Sequence, residues 1–448
     1  MILFQKPKKL RISIKFQLTF YFFVFFLITC VEVRTQENQK IPKKLIILSI
    51  DGLPGYYLDS NSANWDILPN LKRLKDKGEL FNRIESTYPT MTYPAHTSMI
   101  TGVDPAVHGI YFNNPLDPFR KLSVDWYWFK EDILVPTLYD IAKKNGYKTA
   151  NVYWPVTVGA EIDWNIPQFW KNKTVYDEKY LRAFSTKGLY AEVRNKIGNT
   201  IGESSSDEEK ILAAIDIWEQ KKPDLMLIYT TDLDTTHHEK GVNTLDAMNT
   251  LSKIDKLVGK LISKINLYKT ENLGLIIVSD HGFKEVNGVC SPNKILIEKG
   301  LINVEKNLWS YVFKSLGGVS VLIRNENRET RAKVRSISLS ELKTELESQC
   351  EDIEIDYNEE MFKKFKKKLF PKTLMAAYSK KNTVFSESLH ATEVFKKVGT
   401  YWNHGFLPDD PAMHSIGFVY PKSLAKKEIS NVKEFFTISC TWLGLVCK

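Results

Sequence analysis

Four stretches of the chain are apolar enough to be strands: KLIILSI (44–50), YKTANVYW (147–154), DLMLIYT (224–230) and LGLIIVS (273–279). Such runs predict strands buried on both faces, because a half-exposed strand alternates apolar with polar residues. Between them the pattern turns helical. LPNLKRLKDKG (68–78), VPTLYDIAKKNG (135–146) and TLDAMNTLSKIDKLVGKLISKI (244–265) repeat apolar residues every three or four positions, and the first two close on glycine, a common helix terminator. Strands alternating with helices predict an α/β domain around a mainly parallel sheet. Residues 331–395 are more polar, with MFKKFKKKLFPK (361–372) their densest basic run, and are expected to form an insertion or cap within a domain spanning 44–448.

A chain of 448 residues, 43% hydrophobic and 12% aromatic, has ample material for a large core and is not a disordered sequence. Its net charge of +9 comes from lysines spread along the chain, so no specific nucleic-acid partner is expected. Lys6, Lys8, Lys9, Arg11 and Lys15 precede FQLTFYFFVFFLITCV, a run of 16 uncharged residues, and polar EVRTQENQK follows. A spanning helix wants about 20 apolar residues, so residues 1–31 read as a signal peptide, with a signal anchor as the alternative and 32–43 as a linker. The first reading gives a secreted protein and the second a type II membrane-anchored ectoenzyme; only the second brings a membrane contact. Cys30 lies in that segment. Cys290, Cys350, Cys440 and Cys447 form an even set for an oxidising compartment, with three pairings open, and Asn172-Lys173-Thr174 is a sequon suited to a glycosylated surface loop.

Three of the predicted strands run straight into acidic residues or histidines: Asp51 before Gly52, Asp234 with His238 four residues on, and Asp280-His281-Gly282. The carboxyl ends of strands are where open α/β sheets build their sites. One aspartate after a strand is ordinarily a cap or turn residue, but three strand ends, two of them with a histidine, point to metal. Two clusters suggest two ions. A catalytic zinc takes about three protein ligands and keeps one open position, and His404 in YWNHGFLPDDP is the candidate for the missing ligand. YPTMTYPAH (88–96) carries no charge in a lysine-rich chain. It reads either as a helix N-cap with Pro94 in the first turn, or as a nucleophile aimed by a helix N-terminus.

IILSIDG, YPTMTYPAHTSMITGVDPAVHGIYFN, DLDTTHHEKG, VSDHGF and HGFLPDDPAMHSIGFVYP, in that order from about residue 44 to the end, resemble the nucleotide pyrophosphatase/phosphodiesterase family of the alkaline phosphatase superfamily. The resemblance implies a doubly wound α/β fold with helices on both faces of the sheet, two zinc ions about 4 Å apart, and a small phosphodiester or nucleotide substrate. It makes Thr92 the nucleophile. Asp51, Asp280 and His281, with Thr92, would hold one zinc; Asp234, His238 and His404 would hold the other; the Asn113 amide would bind a phosphate oxygen. Two Zn²⁺ against three carboxylates leave one positive charge, which a Thr92 alkoxide cancels, so a diester monoanion can approach and form a phosphothreonyl enzyme.

By the same resemblance Tyr93 is one wall of a nucleobase slot. The tyrosine of the opposite wall has no identifiable counterpart in YAEVRNKIGNTIGESSSDEEK (190–210), an elongated stretch. NPLDPFRKLSVDWYWFKEDILVPTLYD followed by YWPVTVGAEIDWNIPQFW resembles a less characterised branch of the family, and makes Trp126, Tyr127 and Trp128 candidates for the other wall, with aromatic core packing as the alternative. NNPLDPF (113–119) offers no cation for a second phosphate charge, which favours diesters. A phosphomonoesterase, a lipid or choline phosphodiesterase, and a non-catalytic secreted binding protein are the alternatives. The oligomeric state is left open.

Overall fold

The computed structural model describes residues 42–447 apart from 122–125, 172–174, 203–204, 328, 332–336 and 366–369. The targeting segment and the sequon lie outside the described residues. Strands β1 (Lys44–Ile50), β2 (Glu79–Ile84), β3 (Thr149–Val152), β4 (Trp164–Ile166), β5 (Leu225–Thr230), β6 (Leu273–Val278) and β7 (Ser415–Tyr420) form one sheet in the order β2-β7-β6-β1-β5-β3-β4. β6, β1, β5, β3 and β4 run parallel, and β7 runs antiparallel to both its neighbours. The continuous apolar runs are explained by this order: β1, β5 and β6 are central, and Ile46, Leu227 and Ile276 are completely buried. Burying such a side chain contributes about 1.5–3 kcal/mol.

Two groups of helices cover the sheet. α1 (Pro69–Lys77), α4 (Asp207–Lys221) and α6 (Leu245–Lys264) pack together, and α2 (Thr92–Thr101), α3 (Leu138–Lys144) and α7 (Glu434–Leu443) form the second group. α3 starts where Thr137 and Asp140 make a reciprocal capping box, and α6 where the Thr244 hydroxyl accepts the Ala247 N–H. Between α4 and α6 lies a short helix, α5 (Asp232–Lys240), which carries two of the site residues. Gly146 takes the left-handed conformation expected after a helix, with φ +81°, but Gly78 does not, with φ −117°. Gly78 is needed for closeness: a Cβ there would lie 2.5 Å from the Val419 carbonyl oxygen of β7. The strand expected over 147–154 shrinks to Thr149–Val152, because Tyr153, at φ +69°, turns the chain out of the sheet.

The polar stretch 331–395 supplies Ile353–Tyr357 and Thr373–Ser379 to a second, four-stranded sheet, whose other strands, Tyr311–Ser315 and Val319–Arg324, precede it. The helix Leu339–Gln349 buries only Leu342 and Leu346, which accounts for the polarity. A disulfide joins Cys290 to Cys350 beside this sheet, and a second joins Cys440 to Cys447. The first closes a loop across a separation of 60 residues. Replacing both its cysteines by alanine is expected to cost about 2–5 kcal/mol of stability in a urea titration, the usual range for a native disulfide.

Candidate active site

Register brings the polar strand ends together. Ser49 of β1 is level with Tyr229 of β5 and Val278 of β6, so Asp51, Thr231-Asp232 and Asp280 emerge side by side. Gly52 follows Asp51 at φ +63°, and a Cβ there would lie 3.2 Å from the Asp234 Cα, so the turn has room only for glycine. The Gly52 N–H donates to Asp280 Oδ1 at 3.1 Å, locking the two strand ends together. Asp234 and His238 lie one turn apart on α5. His404 comes from a strand over a hundred residues further on: Phe395–Asn403 pairs antiparallel with Lys284–Cys290, Asn403 opposite Lys284, which sets His404 against His281 with the rings 3.7 Å apart and nearly parallel at 12°.

The outcome is two triplets, Asp51-Asp280-His281 and Asp234-His238-His404, each able to offer ligand atoms within 4.8 Å of one another. The three histidines are oriented alike. Nδ1 of His238, His281 and His404 faces the carbonyl oxygen of Trp402, Gly282 and Thr90 at 3.3, 3.2 and 3.1 Å. A carbonyl only accepts, so Nδ1 carries the proton and Nε2 presents its lone pair, the arrangement of metal-binding imidazoles.

The charge pattern also fits a cation. Burial, then Asp234 and Asp280, push the Asp51 carboxyl well above the usual carboxylate range, and burial raises Asp280. Burial, then His404 and His238, hold His281 well below the usual imidazole range, and burial with His238 lowers His404 to about 3. Neutral imidazoles therefore face carboxylates that repel one another. Asp51 Oδ1 and Asp280 Oδ2 are buried and accept no hydrogen bond. A pair of divalent cations resolves all three features, and the O/N donor set suits zinc.

Thr92 sits beside the first triplet, its Oγ1 3.5 Å from His281 Nε2. It is not a helix cap: Met91 holds that position and Thr92 is the first residue of α2. All ten residues of α2 are buried, which explains why the stretch carries no charge. His96, one turn on, contacts the Thr92 carbonyl through Nδ1 and Ser49 Oγ through Nε2, each at 2.8 Å, tying the helix to β1. Asn113 Oδ1 accepts the Tyr93 N–H at 3.0 Å, which fixes the amide so that its nitrogen is the end able to donate.

An aromatic group adjoins this helix end. Tyr93 is buried, with its hydroxyl donating to Gln168 and its ring 5.2 Å from Trp126 and 6.1 Å from Trp128. Trp128 is buried as well, whereas Trp126 and Tyr127 are half-buried. The Tyr127 N–H donates to the Asn113 carbonyl at 3.0 Å. Trp170 closes the group, 5.0 Å from Trp126 and 4.3 Å from Trp128. Of the aromatic candidates, Tyr93 and Trp128 are interior, while Trp126 and Tyr127 keep part of their surface exposed.

The family described as type I phosphodiesterase / nucleotide pyrophosphatase matches residues 45–407. The chain belongs to this family. Among curated members, venom phosphodiesterase CdcPDE of Crotalus durissus collilineatus is 28% identical over 256 residues, 54% of this chain and 26% of that protein. Ectonucleotide pyrophosphatase/phosphodiesterase family member 1 of Homo sapiens is 26% identical over 255 residues, 54% of this chain and 23% of that protein. The match thus takes in about a quarter of these relatives' length. Among solved structures, an inactive threonine-to-alanine variant of murine ectonucleotide pyrophosphatase/phosphodiesterase 5 in complex with AMP superposes with a TM-score of 0.64 at 18% identity, covering 91% of this chain and 96% of that one. The human counterpart gives 0.61 at 19% identity, with the same coverage. The likeness shows the doubly wound, alkaline phosphatase-like fold.

For this phosphodiesterase-family chain the structure adds residues that the sequence did not single out. Tyr229 donates its hydroxyl to Asp51 Oδ2. Gln168 and Trp170 come from PQFW (167–170), where two aromatics beside a polar residue were the available signal. Asp207 and Lys210 sit behind α5, and their sequence context, SSSDEEK, gave none.

Proposed function

We propose that this chain is a zinc-dependent hydrolase of phosphodiester or pyrophosphate bonds in nucleotides or related diesters, working through a phosphothreonyl intermediate on Thr92. The observation that carries the proposal is the Thr92 hydroxyl lying 3.5 Å from His281 of one three-residue donor set, with His404 of the second set stacked on that same ring, in a chain of the phosphodiesterase family. Asp51, Asp280 and His281 would hold one zinc and Asp234, His238 and His404 the other. Two zinc ions, when bound, lower the pKa of an oxygen they hold and offset charge on the transferring phosphoryl group. Thr92 Oγ forms a bond to phosphorus as the ester or pyrophosphate P–O bond breaks; water then cleaves the phosphothreonine and restores the hydroxyl. Asn113 Nδ2 donates to a phosphoryl oxygen, held for this by its bond to the Tyr93 N–H. Snake-venom and ectoenzyme relatives support an extracellular site of action, in line with a targeting segment at 1–31, a linker over 32–43 and a catalytic domain from 44 onwards. Among the described residues no helix is long and apolar enough to cross a membrane.

Trp126 is the base platform in this reading, with Tyr93 as its backing. The AMP bound by the murine structural neighbour supports a nucleotide ligand here. Stacking of a base on an aromatic ring is worth about 1–3 kcal/mol, so Trp126→Ala should lower kcat/KM on p-nitrophenyl thymidine monophosphate by roughly 5- to 150-fold. On p-nitrophenyl phosphate, which has no base, it should change little. Wild type should also prefer the diester, because Lys121, the first lysine after Asn113, lies over the Phe119 ring and Arg120 is exposed. A wild type preferring the monoester would make this a phosphomonoesterase. A diester preference indifferent to Trp126→Ala would turn the reading toward lipid or choline diesters.

A further inference from the structure

The stretch YAEVRNKIGNTIGESSSDEEK ends in two charged residues that are completely sequestered: Asp207 is 1% exposed and Lys210 0%. Their surroundings are the start of α5. That helix is capped by Thr231, whose own side chain makes no capping bond, and α4 is capped by Ser206, which makes none either. The two helices cap each other instead. Asp207 Oδ1 accepts the Thr231 N–H at 2.7 Å and Oδ2 the Asp232 N–H at 3.2 Å, while Asp232 Oδ2 accepts the Asp207 N–H at 3.1 Å. The four orphan N–H groups that begin a helix normally find a local side chain or water. Here a residue from another helix holds the first two, two residues ahead of Asp234.

Lys210 completes the arrangement. Its ammonium lies 3.4 Å from Asp207 Oδ1, 2.5 Å from the Thr231 hydroxyl and 4.9 Å from the centre of the Tyr153 ring. Tyr153 in turn stacks on Tyr229, whose hydroxyl donates to Asp51. One buried ammonium therefore braces α5 directly and adjoins the ring pair behind the other triplet. A buried ion pair contributes little net stability, because desolvation offsets the attraction; its physical effect is to exclude other placements of what it holds.

We propose that the buried Asp207–Lys210 pair positions α5, and through it the Asp234–His238–His404 metal triplet. Both are positioning residues: neither touches substrate or metal. The proposal rests on the two-zinc reading above.

The test uses the full chain carrying Asp207→Asn together with Lys210→Met, which removes both buried charges at nearly constant volume. Zinc content is measured across graded free-zinc buffers, together with the thermal midpoint of the zinc-free protein. One zinc should bind as in wild type and the other about 10- to 100-fold more weakly, the usual cost of losing a residue that supports a ligand. Activity lost at low zinc should return when zinc is added. Thr231→Val, which removes the hydroxyl gripped by Lys210 and no charge, should weaken the same zinc to a smaller degree, and it decides the matter if the double variant does not fold. Wild-type affinity for both zinc ions overturns the proposal, and so does a lowered midpoint with unchanged zinc affinity, which would make the pair merely structural. A wild type binding fewer than two zinc ions would sink the two-zinc reading itself and the proposal with it.

Discussion

Thr92→Ala is expected to lower turnover of a nucleotide diester by ~10³-fold or more while the protein still binds two zinc ions per chain, since the nucleophile carries a step no neighbour replaces. Thr92 is one residue inside α2, so its hydroxyl caps nothing, and the triplets are complete without it. Thr90, two residues earlier, is the internal control. Its hydroxyl donates to the Phe406 carbonyl at 2.8 Å, and its own carbonyl receives His404 Nδ1 and the Gly405 N–H. Thr90→Ala keeps the carbonyl and loses one buried hydrogen bond, so it should cost about 1–3 kcal/mol of stability and leave most of kcat. Zinc analysis, denaturant titration and kcat on the two variants are sufficient. Equal losses of activity in both, or an active Thr92→Ala, would take the nucleophile away from Thr92.

The part of the fold legible in the sequence was the part built by burial on two sides. β1, β5 and β6 announce themselves as continuous apolar runs because they are the central strands, and the residues that follow them stood out as a candidate cluster, which the fold brings together, because oxygen and nitrogen ligands at several strand ends have few bland explanations. Where long-range pairing decides, the pattern was silent. His404 gains its place from the pairing of Phe395–Asn403 with Lys284–Cys290, which no local periodicity encodes. Tyr153 leaves the sheet because of its own backbone angle, not its polarity. Tyr93 read, by resemblance, as one wall of a nucleobase slot, and position next to the nucleophile says nothing of depth; its ring is buried against Trp126, with its hydroxyl on Gln168. SSSDEEK carries no mark of burial in its composition, and two of its charges are interior because a second helix start lies against it.

Removing zinc with a chelator is expected to abolish activity, and His404→Ala to reproduce most of that loss from a single side chain. The second triplet would keep only Asp234 and His238, below the three protein ligands usual for catalytic zinc, so its affinity should fall by ~100-fold or more, at least the cost of losing an outer-shell support. The first triplet should be spared, because Asp51, Asp280 and His281 hang from β1 and β6 and meet His404 only through the stacked ring of His281. Stability should change little in the zinc-free protein. Two neutral imidazoles lie 3.7 Å apart there, held mainly by the bond of His404 Nδ1 to Thr90, so deletion leaves a carbonyl that still accepts the Gly405 N–H. The measurement is zinc per chain, and activity, at rising free zinc. The variant should saturate with one tight and one weak site, and its activity should follow the weak one. A His404→Ala protein holding two tight zinc ions at full activity would remove His404 from the metal site, and with it the reason for the paired strands to end there.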